Sequence, residues 1–328
     1  MLDTINKKII LALINNSRLS ISAIAKETKL TREIVRHRIW KLEKEQIITG
    51  YITRINQPLF CTGIALMECK LTRSNIERYT QIIKYIQKKD SINWCIEICG
   101  IYDIAFTIVY NTPQDLANTI TEITNYLGVN LKEHEISLYI DEYKFDRAGL
   151  ITEKTSQYNK DKIITFNKNT KINLDQTDMQ IIQTLAQNSR TKNIEISKKL
   201  NISEDVVRLR IRNLEKKRII TGYTISLDAE KLGYEAYQIG LKIEQMTDDT
   251  INKIKYYTQT NPYIIFCTRT TGKNNIIINV HAKNRIHFNK ILLDIRNNLP
   301  EIIDYEFQLN MKTHKEIFIP EQKINNLT

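Results

Sequence analysis

Val35-Arg36-His37-Arg38-Ile39-Trp40-Lys41-Leu42-Glu43-Lys44, followed by Ile47-Ile48-Thr49-Gly50-Tyr51, returns later in the chain. The second version is Val207-Arg208-Leu209-Arg210-Ile211-Arg212-Asn213-Leu214-Glu215-Lys216, then Ile219-Ile220-Thr221-Gly222-Tyr223. The offset is 172 residues. It holds without a gap between residues 2–51 and 174–223, and 22 of those 50 positions are identical. A tandem unit of about half the chain predicts a pseudo-twofold molecule, a shape suited to two related half-sites on a duplex.

Working outward from the repeated stretch, each copy begins with three short helices. Ile5, Ile9, Ile10 and Leu13 recur at helical spacing. Asn16-Ser17-Arg18 interrupts them, and Ser20 is placed to cap a second helix carrying Ile21, Ile24 and Ala25. Thr31 caps a third, with Val35, Ile39 and Leu42 inward. The second copy supplies Ile181, Ile182 and Leu185; Ile194, Ile196 and Ser197; and Ser203, Val207, Ile211 and Leu214. Small Ala25 and Ser197 permit a close helix crossing, as in a helix-turn-helix. Residues 47–55 are expected to form two short strands around the Gly50 turn, a wing.

Beyond this point the apolar period changes. Strands are expected at 64–71, 92–99, 104–110 and 131–140, with helices at 75–88 and from Thr112 onward, where a cap, Pro113 and Asp115 mark the start. The order β-α-β-β-α-β is the ferredoxin-like split unit. It recurs as strand 236–244, helix 248–260, strands 263–270 and 275–282, helix 285–299 and strand 302–312. In 104–110, Ile104, Phe106, Ile108 and Tyr110 oppose Ala105, Thr107 and Val109. In 92–99, Ile92, Trp94, Ile96 and Ile98 oppose Cys95 and Cys99. A free sheet face should alternate to polar. Two apolar faces predict that the second packs on another sheet, the nearest being in the other half. The expected domains are 1–56 and 174–228 (winged helix-turn-helix), 57–150 and 229–328 (ferredoxin-like), with 151–173 as a polar, basic linker in which Ile163-Ile164-Thr165-Phe166 forms a crossing strand.

Composition narrows the function. A formal charge of +11 and a pI near 9.2 favour a polyanionic partner. No apolar run reaches the ~18–20 residues of a membrane span, and Met1-Leu2-Asp3-Thr4 has no signal-peptide order, so the cytoplasm is the expected compartment. The five cysteines (61, 69, 95, 99, 267) contain no C-x-x-C pair and the five histidines (37, 134, 281, 287, 314) are scattered; buried thiols are expected, with no metal and no cofactor. No nucleophile–base or paired-carboxylate constellation stands out, and no phosphate-cradling glycine loop.

An N-terminal winged helix-turn-helix joined to a βαββαβ domain resembles the leucine-responsive/asparagine-regulator (Lrp/AsnC) family of transcription factors. The matching residues are Leu2-Asp3, Arg18, Thr31, Val35, Arg38-Ile39, Leu42-Glu43, Ile47-Ile48, Gly50-Tyr51, Gly100 and Asp103. The second copy offers Leu174-Asp175, Arg190, Ser203, Val207, Arg210-Ile211, Leu214-Glu215, Ile219-Ile220, Gly222-Tyr223 and Gly272. The resemblance implies a dimer-like arrangement of face-to-face sheets with DNA-reading domains outside, here within one chain. Three departures stand out. Gln46 and Arg218 replace a family glycine after the third helix, where a left-handed turn would cost roughly 1 kcal/mol each, so a different helix end is expected. The family's Gly-x-x-Asp turn, linked to small effectors, becomes Gly272 and Asn275. The second reading helix opens with Glu204-Asp205 where the first has Arg32-Glu33.

The fold class is therefore α+β, two copies of a winged helix-turn-helix followed by a ferredoxin-like domain, forming an intramolecular pseudo-dimer open to further assembly. The expected partner is double-stranded DNA. Arg36 and Arg208 are the candidates for guanine edges; Lys26, Arg38, Lys41, Lys198 and Arg210 for phosphates. Thr31, Arg32, Glu33, His37, Trp40, Ser203, Glu204, Asp205 and Arg212 complete the candidate surface, and Leu209 is a packing residue or a contact. Gly100, Tyr102 and Asp103, with Gly272 and Asn275, are the candidate effector turns, in which Asp103 would hold an amino-acid ammonium or else serve an ordinary hairpin. Two other readings stand beside this one. One is a metabolite sensor or architectural DNA protein with a degenerate second head. The other is an enzyme resembling the two-copy tetrapyrrole decarboxylases, which would need grouped His and Arg.

Overall fold

The computed structural model describes residues 2–72, 75–155, 163–166 and 174–318. The first half runs α1 (Thr4–Asn15), α2 (Ile21–Thr28), α3 (Arg32–Lys44), β1 (Ile48–Ile55), β2 (Gly63–Leu71), α4 (Ile76–Lys88), β3 (Ile92–Cys99), β4 (Ile104–Tyr110), α5 (Pro113–Leu127) and β5 (Leu131–Phe145). A short α6 (Gly149–Thr152) and β6 (Ile164–Thr165) follow. The second half repeats the plan as α7 (Gln176–Gln187), α8 (Asn193–Leu200), α9 (Glu204–Lys216), β7 (Ile220–Leu227), β8 (Glu235–Ile243), α10 (Asp248–Thr260), β9 (Ile264–Thr270), β10 (Ile276–Ala282), α11 (Arg285–Asn298) and β11 (Ile302–Glu316).

Local chemistry explains the helix ends. Ser20, Thr31 and Ser203 accept hydrogen bonds from the backbone N–H groups of Ala23, Ile34 and Val206, which have no partner within their helices. Thr112 and Asp115 form a reciprocal capping box on α5. Gln46 and Arg218 adopt φ of 55° each. The expectation of a different helix end is thus corrected: the left-handed turn is kept despite its steric cost. The third-helix stripes are buried as their spacing predicts. In α8, Ile194 departs from expectation, being 43% exposed while Ile196 and Ser197 are buried.

The wing is a second correction. Residues 48–55 make one continuous strand, and its ladder partner lies in the other half: β1 pairs antiparallel with β7, with Tyr51 opposite Ile225 and Thr53 opposite Tyr223. Each strand also packs on the opposite head. Ile52 and Ile55 lie in the core with Ile181, Leu185 and Val207, while Ile225 lies in the core with Ile9, Leu13 and Ile39. The Thr53 hydroxyl donates to the Leu185 carbonyl of α7.

The remaining long strands close into a ring in the order β2-β4-β3-β11-β8-β10-β9-β5, with β5 returning to β2. Each half contributes four strands. The expected face-to-face contact is present, since Leu66, Ile96, Ile98 and Ala105 share an interior cluster with Ile277. Edge pairing was not anticipated. Strand β5 pairs with β2 through Leu138, and from Tyr139 onward with β9 of the other half. Strand β11 does the same, pairing with β8 and then with β3. This is why both run past their expected ends, to Phe145 and Glu316. A register shift between Ile92 and Trp94 turns Ile92 to the helix side with Cys95, while Trp94 joins the interior with Ile96 and Ile98. Four cysteines are buried, but Cys99 is exposed.

Helices α4 and α5 cover the outside of the first four strands, burying Ile82, Ile83, Ile86, Ile123 and Leu127 against Phe106 and Ile108. Helices α10 and α11 cover the second four in the same way, through Ile251, Ile254, Phe288 and Ile295. The start of the expected linker is corrected as well. Residues Leu150 and Ile151 are buried in the core of the first head. Gly149 makes this docking possible, because a Cβ there would lie 1.7 Å from the carbonyl oxygen of Pro262. Ile164 and Thr165 pair with Glu142 and Asp141 of β5. Residues 156–162 and 167–173 of that linker lie outside the described residues.

Candidate nucleic-acid interface

Helices α3 and α9 each turn one stripe into their head and leave the other outside. Along α3, Arg32, Glu33, Arg36, His37, Trp40 and Lys41 are exposed, with Val35, Ile39 and Leu42 beneath them. Trp40 is 53% exposed and carries Lys44 over its ring at 4.9 Å. On α9, Asp205, Arg208, Leu209 and Arg212 are exposed, and Glu204 is partly so. Leu209 is 58% exposed, which rules out core packing. Lys26 on α2 and Lys198 on α8 are also exposed. Thr31 and Ser203 face outward while capping their helices.

The two faces differ in electrostatics. Among the described residues Arg36 forms no ion pair. Its equivalent Arg208 donates to Asp205 at 3.1 Å and to Glu204 at 3.4 Å. A phosphate or base edge would have to displace these carboxylates before using Arg208.

The arginines at the next position are committed inside their own heads. Arg38 donates to Asp3 at 2.6 Å, and Arg210 to Asp175 at 2.7 Å and Asp178 at 2.9 Å. Asp3 and Asp175 are the N-caps of α1 and α7. Each arginine therefore ties the reading helix to the start of the first helix, and the carboxylates are held below their usual range by backbone N–H donors and this guanidinium. Their geometry explains the repeated Leu-Asp and Arg-Ile pairs without a phosphate.

The Gly-x-x-Asp turns are likewise occupied by the fold. The Asp103 carboxylate accepts from the Leu71 backbone N–H at 2.7 Å and from the Lys70 ammonium at 3.1 Å. In the second copy Asn275 accepts from the Ile243 N–H at 2.8 Å and donates to the Ile243 carbonyl at 2.9 Å. Positions 71 and 243 are one repeat apart, so the side chain at 103 or 275 pins the end of a neighbouring strand. Each turn also rests on the other half. Gly100 lies against Gln308 of β11, and Gly272 against Ser137 of β5. The Tyr102 backbone N–H donates to Gln308 at 3.1 Å and its hydroxyl to Glu135 at 3.1 Å. The Lys70 ammonium lies beside Asp103, at the position expected for an effector ammonium.

Sequence reasoning placed Arg18 and Arg190 among the family-matching residues but gave them no role, because their contacts cross between halves. Their signal was the exact return of Asn-Ser-Arg at the same offset. Among the described residues there is no cluster of three His, Cys, Asp or Glu able to hold a metal, and no helix long and apolar enough to cross a membrane.

Comparison with known proteins agrees with this arrangement. The family model described as "AsnC-type helix-turn-helix domain" matches residues 2–43, "Winged helix-turn-helix DNA-binding" matches 174–221, and "Lrp/AsnC ligand binding domain" matches 237–318. The HTH-type transcriptional regulator Ptr1 of Methanocaldococcus jannaschii is 31% identical over 145 residues, 44% of this chain and 95% of that protein. The HTH-type transcriptional regulator FL11 of Pyrococcus horikoshii is 28% identical over 149 residues, again 44% of this chain and 95% of that protein. These relatives are single units, so one copy of this chain corresponds to a whole relative. Among solved structures, the siroheme decarboxylase NirDL, in co-complex with an iron-uroporphyrin III analogue, is similar over 99% of this chain and 98% of that one. Its TM-score is 0.62 and its identity 14%, a likeness of fold.

Proposed function

This chain belongs to the Lrp/AsnC family of DNA-binding transcriptional regulators, and we propose that it reads a bipartite duplex site as a single-chain pseudo-dimer. The observation that carries this reading is the pair of exposed faces on α3 and α9, presented by two heads whose strands are exchanged across the dyad. The first head supplies Arg36 as its reader of a base edge, with Arg32, His37, Trp40, Lys41 and Lys26 around it. The second offers Arg208 and Arg212 behind Glu204 and Asp205, so its half-site differs and binds more weakly. The half-sites should lie about one helical turn apart or a multiple of it.

A small effector such as an amino acid would act at the ring domains, in keeping with the ligand-binding family match over residues 237–318. The chain is not an enzyme in this reading. Its five histidines are dispersed over α3, β5, β10, α11 and β11. Mixing with an iron-tetrapyrrole is the contrary test, and a Soret band that persists through gel filtration would favour decarboxylase-like chemistry instead.

Selection of bound duplexes from a random pool, followed by footprinting, tests the main reading. Two related, unequal half-sites are expected. Neutralising ~6–10 phosphates should lower affinity by about 10³–10⁵ between 50 and 200 mM salt. No enrichment, or salt-independent binding, would overturn it.

A further inference from the structure

The repeated Asn16-Ser17-Arg18 and Asn188-Ser189-Arg190 turns meet at the dyad. In each, the asparagine side chain accepts from the backbone N–H of its arginine at 2.9 Å. The hydroxyls of Ser17 and Ser189 share a hydrogen bond of 2.6 Å. The Ser17 N–H donates to the Tyr223 carbonyl at 3.3 Å, and the Ser189 N–H to that of Tyr51 at 3.0 Å.

From this point each arginine reaches into the opposite head. The Arg18 guanidinium lies 5.4 Å from the ring centre of Tyr223, whose hydroxyl donates to Glu215 on α9 at 2.7 Å. Arg190 lies 5.2 Å over Tyr51, whose hydroxyl donates to Glu43 on α3. A cation over an aromatic face is attracted to it, more so when desolvated. Two crossed chains of contact therefore run from one head, through a ribbon tyrosine, to the reading helix of the other.

The two chains are unequal. Arg18 donates to the Ser189 carbonyl at 2.6 Å, the Thr191 carbonyl at 3.1 Å and the Asn193 side chain at 2.8 Å. Among the described residues Arg190 makes one such bond, to the Ser17 carbonyl at 2.8 Å. The cause is in the sequence. Asn193 corresponds to Ile21, so the side-chain acceptor beside Arg18 has an apolar counterpart beside Arg190. Helix α8 also starts at Lys192 without a side-chain cap, where α2 has Ser20. Arg18 grips the carbonyl and side chain on either side of that uncapped start.

We propose that Arg18, a residue of the first head, is the positioning residue of the second. It holds the start of α8 and, through Tyr223 and Glu215, sets the orientation of α9. The first head is the anchor and the second the dependent reader. This deepens the DNA-reading assignment and rests on it for its functional meaning, although the mechanical claim concerns the protein alone.

Spin labels separate the two. In a Cys99→Ser background, which removes the exposed thiol, cysteines replace Glu45 and Lys217, the exposed equivalents at the ends of α3 and α9. Distances between the labels are measured without DNA. The parent and Arg190→Ala should each give one narrow distribution, and Arg18→Ala a clearly broader one. Should Arg18→Ala fail to fold, Arg18→Lys, which keeps charge but loses the planar fork, should broaden it by less. A narrow distribution in a folded Arg18 variant, or equal broadening by both arginine variants, overturns the proposal. In duplex selection, Arg18→Ala should lose at least tenfold preference at the half-site read by α9 and keep that read by α3. A parent that selects no duplex would defeat the DNA reading and leave the distance result standing.

Discussion

Gln308 of β11 donates a 2.6 Å hydrogen bond to Glu68 of β2, across the interior of the strand ring from one half to the other. Gln238 of β8 donates to the same oxygen at 2.8 Å. Glu68 has Gly240 as its repeat equivalent, so the carboxylate is present once at the pseudo-symmetric centre. Burial pushes its pKa up to about 7, and the two amides only partly offset this.

This predicts a pH dependence of stability. The folded state holds the Glu68 proton more tightly than the unfolded chain, so this group favours folding below about pH 4.5 and that contribution fades as pH rises through 7. Glu68→Gln keeps an oxygen for both amides and cannot ionise. Parent and variant should have similar stability near pH 4.5, with the variant more stable at pH 8 by roughly 1–3 kcal/mol. Urea unfolding at the two pH values checks this; an equal difference at both would contradict it.

Arg36 and Arg208 should contribute unequally to DNA binding. Arg36→Ala is expected to cost about 1–3 kcal/mol on the selected duplex, and Arg208→Ala distinctly less. Replacing Glu204 by Gln and Asp205 by Asn should release Arg208 and strengthen binding. Equilibrium titration on one duplex measures all three, and a larger loss at Arg208 than at Arg36 would reverse the assignment of the stronger head.

Arg38 is predicted to act through Asp3. An exposed pair of this kind contributes up to about 1 kcal/mol, so Arg38→Gln should lower head stability by no more than that. The slope of log affinity against log salt should stay unchanged, whereas loss of a phosphate contact would reduce it by about 0.9.

Arg218 occupies a left-handed turn at φ of 55° that glycine adopts without steric cost. Arg218→Gly should raise stability by roughly 0.5–1 kcal/mol, read as a higher midpoint in thermal unfolding. A fall would mean that the arginine side chain makes a contact worth more than the backbone strain.

The sequence was most legible where structure is local. Caps such as Ser20 and Thr31, and the alternation at Ile104–Tyr110, placed helices and strands within a residue or two, because period and end chemistry act over a few positions. It was least legible where a strand changes partner. Residues 141–145 and 313–316 carry Asp, Glu, Lys and His and do not alternate cleanly, yet they continue β5 and β11 because the other half provides the ladder. Ile47–Ile55 suggested a local hairpin for the same reason: Gly50 is a turn signal by itself, and nothing in the segment announces that its partner lies 172 residues away. At the candidate site, spacing identified which arginines leave the core. It assigned Arg38 to a phosphate rather than to Asp3, since only the fold brings that carboxylate beside it.

Closing the strands into a ring removes the open ladder edges through which sheet proteins recruit further chains. The edge strands β3 and β9 of the two halves are thereby paired with β11 and β5 rather than left open to a neighbouring molecule. Helices α4, α5, α10 and α11, which cover the ring from outside, carry side chains that can be tuned one at a time without disturbing the barrel beneath.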